Sequence, residues 1–454
     1  MSVPGDVETD RQPPLTVPLR HFVLGLGFLL GGTLGGIGVA VGVVPGRATL
    51  VHVHLLLAGW VGLTIMGALT QFVPVWSDVE LHSRRLSTAQ LWLVVVGLLG
   101  FAGSLLSRSP WLVPFFAGCM LAGFWVFVYN IGRTVGSLPD SDSTERHFVA
   151  ALGFFLLLTA FGYLLAVDFV WPVFAGTPLT RSGVVGAHVT LAVFGAVVTT
   201  VLGALYQLST MFTQTELRGV DIYLQRSEEV AYPLGVLLLA VGRLFESGLL
   251  ARVGGVLVAG SLLGVSVILA RRLYETRVDW TPMLSRYAIA TPALAAWSGP
   301  ALVAWLRAPL DSRTLFGAPG TTHLLVFGFI GFVVFGSLYH VVPFIIWVHR
   351  YSDRLGFEAV PMVDDLYDDR IATADFALLL GGVLLLAGGD WVDAPVVAST
   401  GGVMTAAGVV LFAANLLLVL RRHSPASLFG LLFSPTASDS PTRADGGDTS
   451  DTAP

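Results

Sequence analysis

Lysine is absent from this chain, cysteine occurs once, and charge of either sign is scarce: 12% of its 454 residues are charged against 54% apolar. The lone thiol, Cys119, lies inside an apolar run, so neither a disulfide framework nor a thiolate-held cluster can be built. Any metal must rely on histidine. Charge this sparse, spread over apolar runs of about twenty residues, excludes a soluble protein and describes a helical chain that crosses a bilayer many times. No polar stretch between the runs is long enough for a soluble domain, and no nucleic-acid partner is expected. The N-terminus lacks a basic stretch followed at once by a short apolar core and a cleavage site, so Arg20 onward reads as a retained first span.

What is present are twelve apolar segments, at roughly 19–43, 49–75, 88–106, 110–137, 147–168, 184–213, 230–247, 251–274, 286–306, 321–348, 373–390 and 396–421. They predict an all-α integral membrane domain of twelve transmembrane helices over 19–423, with a polar tail at 1–18 and a disordered acidic tail at 424–454. Placing the N-terminus inside puts eighteen arginines on the cytoplasmic side and seven outside, at 47, 108, 181, 243, 252, 307 and 313. That bias predicts a plasma-membrane protein with both termini in the cytoplasm. Arginine as the sole strong base, with Asp-, Ser- and Thr-rich tails, is a composition associated with halophilic archaea.

Superposing Gly67, Gly203 and Gly336 aligns His52 with His188 and Thr321, and His54 with Thr190 and His323. Gly59, Gly195 and Gly328 then match, as do Gln71, Gln207 and His340. The second, sixth and tenth segments are thus equivalent. Units at about 19–140, 147–275 and 286–421 predict three four-helix repeats in a pseudo-threefold ring. Small residues at helix interfaces are ordinary close packing. Histidines in hydrocarbon are costly and point to function.

At 100° per residue, His52 and His54 lie about 160° apart around their helix, too far for one metal. They serve two centres, or one cofactor and one structural hydrogen bond. Neutral imidazoles suit haem iron. His54 and His323 hold equivalent places at matched depth and are expected to face each other as axial ligands of a low-spin haem b near the outer side. His52 and His188 are candidates for a second haem or metal, the alternative being hydrogen bonds between repeats. His340, about 25 Å further along than His323, is expected in a polar contact near the inner face. His21, His82, His147, His349 and His423 are expected to be solvated or interfacial. Arg47, Arg181, Arg307 and Arg313 in the outer loops are candidate partners for haem propionates, and Trp60, Phe194 and Phe327 could wall a porphyrin.

The run His52-Val53-His54, then Ala58-Gly59-Trp60-Val61-Gly62, Gly67 and Pro74, resembles the ligand helix of haem-copper oxidase subunit I, most of all its cbb-type branch. The likeness is strong over this helix and looser along most of the chain. It implies twelve spans, a low-spin haem held by His54 and His323, and a copper ligand at His188. It also implies electron transfer or oxygen or nitric oxide chemistry, a cytochrome or copper-protein electron donor and further membrane subunits. Three departures count against a complete haem-copper centre. The family's double-histidine motif belongs to the tenth helix and here stands on the second; Thr321 replaces the high-spin haem ligand; and Ala231–Phe245 lacks the adjacent histidines that copper needs. Copper is therefore not expected. The acids Asp168, Glu246, Asp375 and Asp390 fall at span ends, so no proton pump is expected. The chain also resembles the haem- and copper-containing membrane proteins of the nitric oxide response. A cofactor-free transporter is the reading from a different class, since repeats and glycine-rich helices suit it too.

Overall fold

The computed structural model describes residues 13–44, 47–136 and 141–433. Most of both expected tails, at 1–12 and 434–454, lies outside the described residues. The described residues form twelve long helices and a short one: α1 (Thr16–Ala40), α2 (Ala48–Trp76), α3 (Arg84–Leu106), α4 (Pro110–Val135), α5 (Ser143–Val167), α6 (Arg181–Thr213), α7 (Val220–Leu244), α8 (Gly248–Tyr274), α9 (Pro282–Arg307), α10 (Leu324–Arg350), α11 (Asp369–Trp391), α12 (Pro395–His423) and α13 (Leu428–Phe433). There is no β-strand among them. Eleven are long and apolar enough to cross a membrane, as an all-α multi-pass membrane protein requires. The exception is α7, which carries Asp221, Arg226, Glu228, Glu229 and Arg243. It starts about three turns before the apolar segment expected at 230, because its first half is amphipathic and buries Asp221 and Glu228.

Helix starts follow from local chemistry. Ser83, Asp142, Thr180, Thr281 and Asp368 each accept a first-turn backbone N–H with their side-chain oxygen, and Asp142 forms a reciprocal box with Glu145. The hairpins α3–α4, α7–α8 and α11–α12 turn through three residues each, and the middle one, Arg108, Glu246 or Asp393, is left-handed (φ 55°, 55° and 51°). Non-glycine residues adopt that conformation only sparingly, so its recurrence at one place in three hairpins is a shared turn design.

The first and second helices of each group of four meet at the same register. A Cβ on Gly67 would lie 2.7 Å from the His21 Cβ, on Gly203 2.7 Å from the His147 Cβ, and on Gly336 3.2 Å from the Arg286 Cβ. Neighbouring groups join through α4 on α5 and α8 on α9, and α12 packs back on α1 to close the bundle. Arg20 near the start of α1 donates to the Leu431 carbonyl in α13, so both ends of the described chain lie at one end of the bundle.

The helices α2, α6 and α10 share a further feature. Each contains one eight-residue π-helical stretch, Leu55–Gly62, Leu191–Val198 and Leu324–Gly331, beginning directly after His54, Thr190 and His323. Such widened turns are rare and collect at functional sites, because they shift the face presented by everything beyond them and free carbonyls from the helix ladder. The Phe194 carbonyl, inside the second stretch, accepts from the hydroxyls of Thr199 and Tyr232.

Candidate functional site

The bundle brings His54 and His188 together and leaves His52 and His323, from α2 and α10, within electrostatic reach of each other. The rings of His54 and His188, from α2 and α6, are 6.5 Å apart between centroids and nearly parallel, at 14°. No ring contact or hydrogen bond joins His54 to His323 among the described residues; the ring that lies beside His54 is that of His188. His54 and His188 stand at the two different histidine places of the sequence alignment, as do His52 and His323.

Each imidazole is oriented by its other nitrogen. Nδ1 of His54 donates to the Leu50 carbonyl at 2.8 Å, that of His52 to Gly32 at 2.7 Å and that of His188 to Leu158 at 2.9 Å. A carbonyl only accepts, so the proton sits on Nδ1 and the lone pair on Nε2 is left bare, which is the ligating tautomer. His323 differs: its Nδ1 meets the Asp390 carboxylate at 2.5 Å. This carboxylate–imidazole pairing fixes the ring and strengthens Nε2 as a donor. Asp390, expected only as an acid at a span end, is the polar residue of the site whose role its own sequence context hides.

Two in-line metal–imidazole bonds of about 2 Å each would separate ring centroids by roughly 6 Å, close to the spacing of His54 and His188. No group of three or more His, Cys, Asp or Glu side chains is placed to hold a metal among the described residues. A metal held by protein alone ordinarily takes three or four donors; two neutral imidazoles suit an iron whose remaining ligands belong to a porphyrin. The donor set therefore fits haem.

Room for the rings is made by glycine on the preceding helix. A Cβ on Gly36 would come within 2.6 Å of the His52 ring, and one on Gly162 within 2.9 Å of the His188 ring. Both glycines sit fifteen residues after the matched first-helix residues His21 and His147. The same offset from Arg286 is Ala301, in the group where Thr321 replaces the histidine. Gly162→Val is expected to tilt His188 off its Leu158 bond and lower cofactor retention about tenfold or more, with helix content preserved, as measured by haem per protein after purification.

The third meeting of groups is built otherwise. There Thr190 and Thr321 occupy the two histidine places, and Arg243 fills the space: it donates to Thr190 Oγ1 (2.7 Å) and to the carbonyls of Pro309, Thr314 and Leu315. Trp297 and Trp305 close around Phe194 at centroid distances of 5.6 and 5.3 Å. Arg243, expected on the outer side within the segment 230–247, is 4% exposed, in the last turn of α7.

Of the outer arginines, Arg47 and Arg181 converge, both stacking on Phe169 at 4.8 and 5.1 Å, and Arg181 pairs with Asp168. They flank the two groups that supply His54 and His188. Arg307 is exposed, and Arg313 is paired with Asp311, whose carboxyl its hydrogen bonds hold below the usual range. Trp60 and Phe327 both pack against Phe335, tilted and edge-on, and Phe194 belongs to the tryptophan cluster; the aromatic in ring contact with a candidate ligand is instead Phe101, 4.9 Å from His54. His340 makes no polar contact with Gln71 or Gln207; its ring packs on Phe212 of α6 at 4.5 Å.

At the terminal end a second polar layer recurs in every group. In the second, His147 of α5, Tyr206 of α6 and Glu228 of α7 join: His147 Nε2 lies 3.1 and 3.2 Å from the two carboxylate oxygens, and the Tyr206 hydroxyl donates to Glu228 at 2.8 Å. In the third, Arg286, Tyr339 and Asp375 join in the same way, with Asn415 donating to Tyr339. In the first, His21, Thr70 and Gln90 hold the places, and His21 Nε2 and both ends of the Gln90 amide are buried without a hydrogen-bond partner among the described residues. His21 and His147, expected at the surface, are 1% and 4% exposed, and Asp375, expected at a span end, is wholly buried. The signal was available. Gln90, Glu228 and Asp375 each lie seven residues after Ser83, Asp221 and Asp368 near the start of the third helix of a group.

No family model and no curated protein matches this chain.

Proposed function

We propose that this chain is a membrane-embedded haem protein of electron transfer: twelve transmembrane helices in three four-helix units around a pseudo-threefold axis, with haem b at two of the three inter-unit interfaces. The observation that carries the reading is the close, nearly parallel pair His54 and His188, both with Nδ1 tied and Nε2 bare. The matched turns, π-helical stretches, glycine contacts and polar layers support the threefold unit. In this reading α7 is the twelfth span, its Asp221, Glu228 and Arg243 each buried against a partner. Both termini face the cytoplasm of the plasma membrane, and a separate cytochrome or copper protein delivers the electron. The resemblance to haem-copper oxidase subunit I belongs to this reading.

Haem bound there supplies one-electron chemistry. The chain's own residues do the rest: four imidazoles orient, the Nδ1 bonds fix the tautomer, Arg47 and Arg181 offer cationic partners for propionates, and apolar helix faces exclude water. Reduced-minus-oxidised spectra with pyridine haemochrome quantitation on purified protein test the proposal. A colourless preparation from haem-replete cells would hand the case to a cofactor-free transporter.

A second reading, diatomic-gas binding, is favoured by one observation: of the four candidate ligands only His323 is tied to a carboxylate, and among the described residues no ring contact joins it to His52. That leaves one side of the His323 site open to oxygen or nitric oxide. Asp390→Asn is expected to weaken the imidazole as a donor. The midpoint potential of that centre rises and its haem retention falls about 10- to 100-fold, while the His54–His188 signal is unmoved. Potentiometric titration of the variant reads both.

A further inference from the structure

Among the three polar layers of the terminal end, only the second sets a carboxyl side chain against a histidine. In the third, the base is Arg286, ion-paired with Asp375. In the first there is no acid, since Gln90 holds its place. In the second, His147 and Glu228 face each other with 4% and 2% of their side chains exposed, and Tyr206 donates to the same carboxylate.

This layer also has a way out. A cleft of about 520 Å³ lies over it, lined by Ser143, Arg146, Tyr206, Gln207, Arg226 and Glu229 among others. Tyr206 thus touches the cleft with its side chain and the buried carboxylate with its hydroxyl. Ser143 is the second link: its carbonyl accepts from His147 Nδ1 at 2.6 Å, and its buried hydroxyl has no hydrogen-bond partner among the described residues. The other charges near the layer largely cancel. Arg146 pairs with Glu229 at 2.9 Å, Asp142 and Arg226 line the cleft with opposite signs, and Tyr232, one turn beyond Glu228, gives its hydroxyl to the Phe194 carbonyl.

We propose that His147, Tyr206 and Glu228 form a proton-binding site that exchanges with water at the terminal end of the bundle. One proton from cleft water is held by the pair, as imidazolium beside carboxylate or as imidazole beside carboxylic acid. Its release to cleft water leaves imidazole and carboxylate, with the Tyr206 hydroxyl still donating. No bond other than those to this proton changes. The site stands apart from the haem reading, because it needs no cofactor to bind its proton.

Infrared difference spectra of the intact purified protein between about pH 5 and 9, in H2O and D2O, test it. A carboxyl or imidazole signal that titrates and shifts in D2O is expected in the wild type, lost in Glu228→Gln and displaced in Glu228→Asp. His147→Arg copies the third layer, which already folds around arginine, and is expected to abolish the titration while circular dichroism and size exclusion stay unchanged. An unaltered titrating signal in Glu228→Gln or in His147→Arg, or no titrating signal in the wild type, overturns the proposal. If Glu228→Gln fails to fold, the arginine and aspartate variants decide.

Discussion

Alanine at His188 is expected to abolish the same low-spin haem signal that alanine at His54 abolishes, and to remove about half of the haem retained by the wild-type protein. His52→Ala and His323→Ala are expected to act together on the remaining half. The His54 and His188 rings are parallel and 6.5 Å apart, and each is held from behind by a carbonyl that fixes which nitrogen is free. Losing either ring leaves a single axial ligand, and a six-coordinate spectrum cannot survive that. Haemochrome quantitation with reduced-minus-oxidised spectra on the four variants reads the grouping. A shared signal lost in His54→Ala and His323→Ala, with His188→Ala unaffected, would sink the pairing of His54 with His188 and restore that of His54 with His323.

The second large effect lies at the other end of the bundle. Asp375→Leu leaves Arg286 buried beside Tyr339, its guanidinium 4.4 Å from that ring, without its carboxylate. Breaking one side of such a pair costs about 3–5 kcal/mol, because an uncompensated charge remains out of water. The double variant Arg286→Met with Asp375→Leu removes both charges and is expected to be the more stable of the two, since well-packed apolar groups often replace a buried pair at little cost. Thermal unfolding in detergent of the two singles and the double closes the cycle. A double variant no better than Asp375→Leu would mean that the hydrogen bonds from Arg286 to Pro282 and Ala372 outweigh the charge.

How much of this was legible in the residues depends on which signal each feature leaves. The apolar runs marked eleven of the long helices, because hydrocarbon length is written directly in hydropathy. They missed the first half of α7, whose Glu228 and Asp221 read as loop although burial with His147, Tyr206 and Arg272 makes them core. Aligning Gly67, Gly203 and Gly336 located the four histidines, since a ring needs space that only those helices repeat. The same alignment does not show that His188 lies beside His54, because which helices pack together is set by the bundle and not by matched positions along the chain. His21 and His147 were misjudged for a related reason. A histidine near a helix start reads as interfacial until the third helix of its group is aligned as well, and only then does Gln90, Glu228 or Asp375 come into view.

The tryptophans and Arg243 that seal the third interface leave α2 as the one helix that faces both histidine pairs. On the proposed reading His52 and His54, with only Val53 between them, would serve two haems from one backbone. Charge placed on one would be felt at the other through low-dielectric surroundings. Two haems so joined would take up electrons in separate waves, the second harder to fill than the first, even if both were chemically alike.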